Sequence, residues 1–418
     1  MFSRRILVIC LMWLVTLGLV STNVGSATAA PSSAPRFRLA QLAPKTPEVW
    51  RYGNEDVYNV PKKAGGHTRQ QEATVRPFLN GIRSAPKGAT INISAFSITY
   101  KPVAVAIAEA VARGAYVNFV TWSHTAGKWV RYLKKKLHHK GSSLVVCKGS
   151  CAKSGKSDTH HAKFMTIDVV VGPGGRLIYD VSVISSANLT YAAGRDSWNV
   201  TRIINGNAKI GDALNVYHAN LREDKTIRVR DKTYRYPVVN SGAYAIWRMP
   251  AGTNPLYDAL DATSCTTSKG YGQAATTKVK GKPKTVYRTA IQLGMFIWSG
   301  SEKRVAQRLV DLKKKGCIVE VIVNGPGVNG KIKRMLKHAG IPLWSAQGKT
   351  YIHAKVLRID GRVNGEDQHL TFNGSYNLSQ SAREDNSEVV SRQDSAARSQ
   401  QFKDWFKRLH DNKTTRHL

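Results

Sequence analysis

The sequence predicts an α/β protein whose plan is written twice along one chain. Each half carries a strand-like run, a helix-spaced stretch, a glycine and a second strand. Each half then carries a His-x-Lys-x4-Asp sequence, followed by a run of small residues ending in Asn. Strand, helix and strand in succession imply α/β units around a largely parallel sheet, flanked by helices.

In the first half, Ala89–Ile98 reads as a buried strand, and Val103–Arg113 as a helix offering Val105, Ile107, Ala108 and Val111 to the core. Gly114 ends that helix before the strand Tyr116–Trp122. In the second half the strand is Val286–Trp298, and the helix is Glu302–Lys315 with Val305, Leu309 and Leu312 on one stripe. Gly316 then precedes the strand Ile318–Val323. Lys128–Lys140 places Val130, Leu133 and Leu137 at helical spacing and turns Lys134, Lys135 and Lys136 outward, and Lys331–Ala339 is its shorter counterpart. Thr266–Thr285 is rich in Gly, Thr and Lys without periodicity and reads as an exposed basic loop. The halves are placed at residues 49–238 and 239–418.

The N-terminus is read separately. Arg4 and Arg5 precede an apolar stretch from Ile6 to Val20, and Ala27-Thr28-Ala29 supplies a small-residue cleavage site. That stretch is shorter than the roughly 20 residues a bilayer span needs, so residues 1–29 read as a secretory signal peptide and the mature chain as secreted. Residues 30–48, rich in Pro, Ala and basic residues, form a flexible leader.

The 418 residues hold 63 Lys and Arg against 27 Asp and Glu, a formal charge of +36. With 42% apolar residues this is no disordered basic tail, and the charge points to an anionic partner: nucleic acid, phospholipid headgroups or an acidic wall polymer. Export suits disulfides among Cys147, Cys151, Cys265 and Cys317. Of the three pairings, Cys147–Cys151 with Cys265–Cys317 is favoured, because the first closes a short loop and the second stays within one half. A zinc site using these cysteines with His160 or His161 is the rival, and its spacing fits no common pattern.

The chemistry lies in the repeated motifs. They are His161-Ala162-Lys163 with Asp168, and His353-Ala354-Lys355 with Asp360. Ser185-Ser186-Ala187-Asn188 follows the first, and Gly374-Ser375-Tyr376-Asn377 the second. Residues two apart on a strand share a face. His161 therefore points with Lys163, His353 with Lys355, Ser186 with Asn188, and Ser375 with Asn377. Asp168 and Asp360 lie seven positions on, an odd number, and are expected to face away in supporting roles. One such motif is weak in a lysine-rich chain; two in equivalent places are a strong signal.

These residues resemble the phospholipase D superfamily, whose members carry two H-x-K-x4-D motifs with following G-S-x-N segments. The overall look is similar to secreted actinobacterial members. The resemblance spans about residues 50–412 and implies a pseudo-twofold duplicated α-β-α-β-α sandwich with one active site between the halves. It also implies phosphodiester cleavage through a phosphohistidine, with no metal and no cofactor, in a chain that needs no partner subunit. Lys163, Lys355, Asn188 and Asn377, with the hydroxyls of Ser186 and Ser375, would hold the non-bridging oxygens. One imidazole would attack phosphorus while the other protonates the leaving oxygen.

Asn199 and Glu388 each stand eleven residues after their half's motif Asn, where superfamily members hydrogen-bond the far ring nitrogen of a histidine. Carried over within each half, Glu388 would serve His353 and Asn199 would serve His161. That pattern resembles the amide-then-Glu arrangement of tyrosyl-DNA phosphodiesterases and suggests His161 as nucleophile and His353 as general acid. Ser185 in place of Gly, and Asn199 in place of an acid, depart from the secreted phospholipases.

The expected substrate is a phospholipid headgroup ester, with Trp122, Trp198, Trp298, Trp344 and Tyr351 lining the mouth at a lipid surface. Transfer to an alcohol would accompany hydrolysis. The alternative is a nucleic-acid phosphodiesterase, for which the charge argues. A wall- or polyanion-binding protein with a vestigial site is a third reading, disfavoured because both H-x-K pairs are intact.

Overall fold

In the computed structural model, residues 46–138, 141–152, 158–223, 236–346, 348 and 350–418 are described. The signal peptide and most of the leader lie outside them.

The first half runs β1 (Glu55–Tyr58), α1 (Arg76–Ser84), β2 (Thr90–Ala95), α2 (Lys101–Ala112), β3 (Tyr116–Trp122), α3 (Lys128–Lys134), β4 (Ser143–Cys147), β5 (Phe164–Val171), β6 (Leu177–Ser185), β7 (Ser197–Trp198), β8 (Val200–Ile204) and α4 (Ala208–Arg222). The second runs β9 (Tyr244–Met249), α5 (Pro255–Asp261), β10 (Gln273–Val279), β11 (Lys282–Arg288), β12 (Ala290–Met295), α6 (Lys303–Lys314), β13 (Ile318–Val323), α7 (Gly330–His338), β14 (Leu343–Ala346), β15 (Tyr351–Ile352), β16 (Val356–Val363), β17 (Glu366–Gly374), β18 (Glu388–Asp394), α8 (Ala396–His410) and β19 (Thr415–His417).

One sheet has the order β1-β8-β6-β5-β2-β3-β4, and the other β19-β14-β13-β12-β16-β17-β18-β9, continuing to Val239–Ser241. Both are mixed and flanked by helices, but the expectation of a largely parallel sheet is corrected. Only β2–β3 and β3–β4 are parallel in the first, and only β12–β13 and β13–β14 in the second. Parallel neighbours need a crossover such as α2 or α6. The strand after each motif instead doubles back as a hairpin, β5 on β6 and β16 on β17.

Core-facing residues follow from these layers. Val305, Leu309 and Leu312 are buried on α6, as are Val130, Leu133 and Leu137 in and after α3. On α2 the buried stripe is Val103, Ile107 and Ala110, while Val105, Ala108 and Val111 are only half-buried. That helix is apolar almost all round, so its pattern does not choose a face. The run Val286–Trp298 breaks at Thr289, whose hydroxyl donates to the Ser264 carbonyl at 2.6 Å. Val286–Arg288 belongs to β11, which pairs with β10 in a hairpin. The segment expected as a basic loop is therefore ordered strand.

Disulfides join Cys147 to Cys151 and Cys265 to Cys317. The sulfurs of Cys147 and Cys151 lie within 4.8 Å of a His160 ring nitrogen. Both are consumed by the bridge, and His160 is hydrogen-bonded through its two nitrogens to Ser387 Oγ (2.8 Å) and Ser94 Oγ (3.1 Å). The zinc alternative is thereby set aside. Among the described residues no helix is long and apolar enough to cross a membrane.

Arg202 on β8 fastens the halves together. Fully buried, it meets Asp56 through two hydrogen bonds of 2.8 Å, and donates to the Thr371 hydroxyl (2.8 Å) and the Ser391 carbonyl (3.2 Å) of the second half. Removing one partner of a buried pair strands the other charge, at a cost of about 3–5 kcal/mol. Asp56→Ala should lower the urea-unfolding free energy by that order; a loss below about 1 kcal/mol would count against a fastening role.

Candidate active site

The chain crosses between halves just before each motif strand. Tyr351–Ile352 pairs in parallel with Ser197–Trp198, and the His353 amide donates to the Trp198 carbonyl at 3.0 Å. The mirror contact joins the His161 amide to the Ser387 carbonyl at 3.1 Å. Each motif histidine is thus clipped to the segment that follows the small-residue run of the opposite half.

This crossing decides the partners of the imidazoles. His161 Nδ1 donates to both carboxylate oxygens of Glu388, at 2.8 and 2.9 Å. His353 Nδ1 donates to Asn199 Oδ1 at 3.0 Å. The expected pairing within each half is therefore corrected: Glu388 serves His161 and Asn199 serves His353. The sequence offset locates the partner residues but not which ring they reach, because that depends on how the halves interlock.

The amide of Asn199 is oriented by its neighbours. Its Nδ2 donates to Ser197 Oγ at 2.9 Å, while Oδ1 accepts from Ser186 Oγ at 3.1 Å. An acceptor facing His353 puts the ring proton on Nδ1 and leaves Nε2 for chemistry. Glu388 is likewise braced by the hydroxyl of Ser375. Ser186 and Ser375 are fully buried, and each hydroxyl also accepts a backbone amide, from Val200 (3.0 Å) and Val389 (3.1 Å). The expectation that they contact phosphate is corrected: their bonding capacity goes to the two groups that orient the rings.

Lys163 and Lys355 are almost wholly buried. Each ammonium donates to the carbonyl of its own motif histidine, at 2.6 and 2.7 Å; both His-x-Lys segments are extended chain just before β5 and β16, not part of those strands. Phe96 and Phe296, at equivalent positions in the two halves, were not singled out by the sequence reading. Lys163 lies 5.3 Å from the Phe96 ring centre and Lys355 5.0 Å from that of Phe296. The same rings sit 5.4 Å from His161 and 4.6 Å from His353. The signal was present in the sequence: each phenylalanine directly follows the strand that leads into its half's crossover helix, β2 or β12.

Burial governs the electrostatics. It lowers the Lys163 pKa to about 7 and raises that of Glu388 to about 7. Lys355 is pushed well below the ordinary lysine range, chiefly by burial and then by Lys163. Both histidines are held well below theirs, first by burial and then by both lysines; His353 also feels His161. Among the described residues one buried cluster thus contains both imidazoles, both ammonium groups and the carboxylate of Glu388.

Asn377 Oδ1 accepts the Ile297 amide at 3.3 Å. Asn188 Oδ1, its counterpart, is buried without a partner among the described residues. Asp168 is exposed and accepts the Thr90 amide at 2.8 Å. Asp360 pairs with Arg358 and with His369 at 2.8 Å. These partners are not His161 or His353. Of the aromatics expected at the mouth, Trp198 and Trp298 are fully buried in the core. Trp344 packs on His410 and His417. Trp122, stacked on Phe96 at 5.1 Å, and Tyr351, 5.6 Å from Phe296, adjoin the site.

A duplicated α/β fold that brings two His-x-Lys pairs into one buried cluster defines the phospholipase D class. Residues 78–222 and 287–410 match the family described as "Cardiolipin synthase, PLD-like domain", and the chain belongs to that family. No curated protein matches. Among solved structures, phosphatidylserine synthase from Haemophilus influenzae is similar at 10% identity and a TM-score of 0.54, over 82% of this chain and 84% of that one. Polyphosphate kinase from Porphyromonas gingivalis is similar at 13% identity and a TM-score of 0.50, over 85% of this chain; the chain spans about half (51%) of the kinase's length. These likenesses are of fold alone.

Proposed function

We propose that the protein is a secreted, metal-independent phosphodiesterase that works through a phosphohistidine on His161, with His353 as general acid and base. The observation that carries this reading is the crossed pairing of the rings. Attack by His161 Nε2 forms the N–P bond, breaks the bond to the leaving oxygen and leaves a cationic ring, whose Nδ1–H faces the carboxylate of Glu388. The neutral amide at His353 gives no such support, so a proton on that ring is readily surrendered to the leaving oxygen. Water then returns a proton to His353 and attacks phosphorus, which breaks the N–P bond. Lys163 and Lys355, with Asn188 and Asn377, hold the non-bridging oxygens and take the place of a metal ion. Both disulfides and the N-terminal sequence support work outside the cytoplasm.

A nucleic-acid phosphodiester is the favoured substrate. Helix α3 exposes Lys128, Arg131 and Lys134 beside half-buried Trp129 and Tyr132, and begins just after Trp122. Cations interleaved with aromatic rings are what a single strand needs. The phospholipid-headgroup reading, with transfer to alcohol, rests on the half-buried Phe96, Trp122, Phe296 and Tyr351 and the exposed Ile297 near the histidines. The burial of Trp198 and Trp298 removes part of its expected rim. With EDTA present, plasmid nicking without headgroup release from mixed vesicles would support the first reading. Headgroup release, with phosphatidylethanol formed on addition of ethanol, would replace it with the second. Absence of both activities would remove the functional proposal.

A further inference from the structure

The hairpin β10–β11 has no counterpart in the first half. There, α1 passes to β2 through residues 85–89, whereas α5 passes to β12 through residues 262–289. Apart from Tyr287 and Arg288 it also lies outside both segments that match the family. Closing the sheet does not require it, and packing does not account for it: Gln273, Ala274, Thr276, Lys278 and residues 280–285 are exposed. What it carries is charge. Between Thr266 and Arg288 stand Lys269, Lys278, Lys280, Lys282, Lys284 and Arg288, with no Asp or Glu.

The arm is held in a defined shape. Cys265 at its root is bridged to Cys317, and the Thr267 hydroxyl donates to Asp367 at 2.7 Å. At its tip Val279 pairs with Lys282, and Lys280 and Gly281 have φ of 48° and 78°, the two positive values of a tight hairpin turn. Its seven paired positions reach roughly 23 Å at 3.3 Å each. The root joins the N-terminal end of β12 and Phe296 follows the other end, so the arm leaves the body roughly 20 Å along the strand from the catalytic cluster.

We infer that the β10–β11 arm is a second nucleic-acid contact, which grips the backbone of a duplex independently of the active site. A two-stranded ribbon is narrow enough to enter the major groove, and lysines from both strands neutralise phosphates along it. A membrane-docking hairpin would present large apolar residues at its end. Between Gly272 and Val286 this one has no aromatic residue and no Leu, Ile or Met. The inference goes beyond the proposed reaction, since it concerns binding without cleavage.

The test is the binding of a short labelled DNA duplex, read by fluorescence anisotropy in EDTA across a range of salt concentrations. The full chain is compared with Lys278→Gln/Lys280→Gln/Lys282→Gln/Lys284→Gln. Each lost phosphate contact removes about 0.9 from the slope of log affinity against log salt. With four contacts removed the variant should show a slope shallower by about 3.6, and a change below about 2 overturns the inference. In the unmodified chain, the duplex should protect Lys280 and Lys282 from acetylation; unchanged labelling overturns it without reliance on a variant. Loss of binding to phosphatidylglycerol vesicles with duplex binding intact would mark the arm as a membrane contact and also overturn it. A chain that grips duplex through the arm yet cleaves neither plasmid nor lipid would sink the catalytic reading and leave this one standing.

Discussion

His353→Ala should leave a phosphoryl group trapped on His161. With a p-nitrophenyl phosphodiester the leaving group needs no proton, so the first step proceeds. The second step lacks its base, and the covalent species accumulates. The measurement is mass spectrometry of the peptide bearing His161-Ala162-Lys163 after an acid-free quench. His161→Ala should show no adduct and lose turnover on the order of 10⁴-fold or more. A phosphoryl group found on any other residue would reverse the assigned roles. The reason for choosing His161 is specific: its Nδ1 faces a carboxylate at 2.8 Å, whereas that of His353 faces an amide oxygen at 3.0 Å. A ring that becomes cationic on attack belongs beside the negative group.

The second large effect concerns acidity. Burial raises the Glu388 pKa to about 7, so acidification through that value converts the carboxylate to an acid and removes the support of His161. The sign follows: kcat for the p-nitrophenyl substrate, read at saturation where the Lys163 effect on KM drops out, should rise as pH goes from about 6 to 8. Glu388→Gln should lower the plateau by about 10²–10³-fold, the order seen when a charge-stabilising partner is lost, and should abolish this limb. Persistence of the limb in the glutamine variant would assign it to a group other than Glu388, and not to Lys163, whose pKa also lies at about 7 but whose titration has the opposite sign. The two are distinguished by direction, since loss of a proton from Lys163 weakens phosphate binding and should raise KM.

Much of the fold and site is legible in the sequence. The repeated strand–helix–strand pattern located β2, α2 and β3 in one half and β12, α6 and β13 in the other. The motif spacing put Lys163 with His161 and Lys355 with His353. Local rules sufficed for these because each depends on residues a few positions apart. The α2 core face was misplaced because a helix apolar on all sides has no preferred stripe in sequence. The β10–β11 hairpin was missed because a strand pair exposed on both faces shows no alternation of polar and apolar residues.

The sequence alone thus determined the superfamily, the two His-Lys pairs and the identity of the orienting residues Asn199 and Glu388. The tertiary structure decided which ring each of them serves. It also placed Trp198 and Trp298 in the core and turned the Ser186 and Ser375 hydroxyls inward. The physical reason for the ring assignment is that it depends on contacts between residues more than 150 positions apart. Such contacts form only when the two halves exchange backbone hydrogen bonds at Ser387 and Trp198, and no pattern within either half records that exchange.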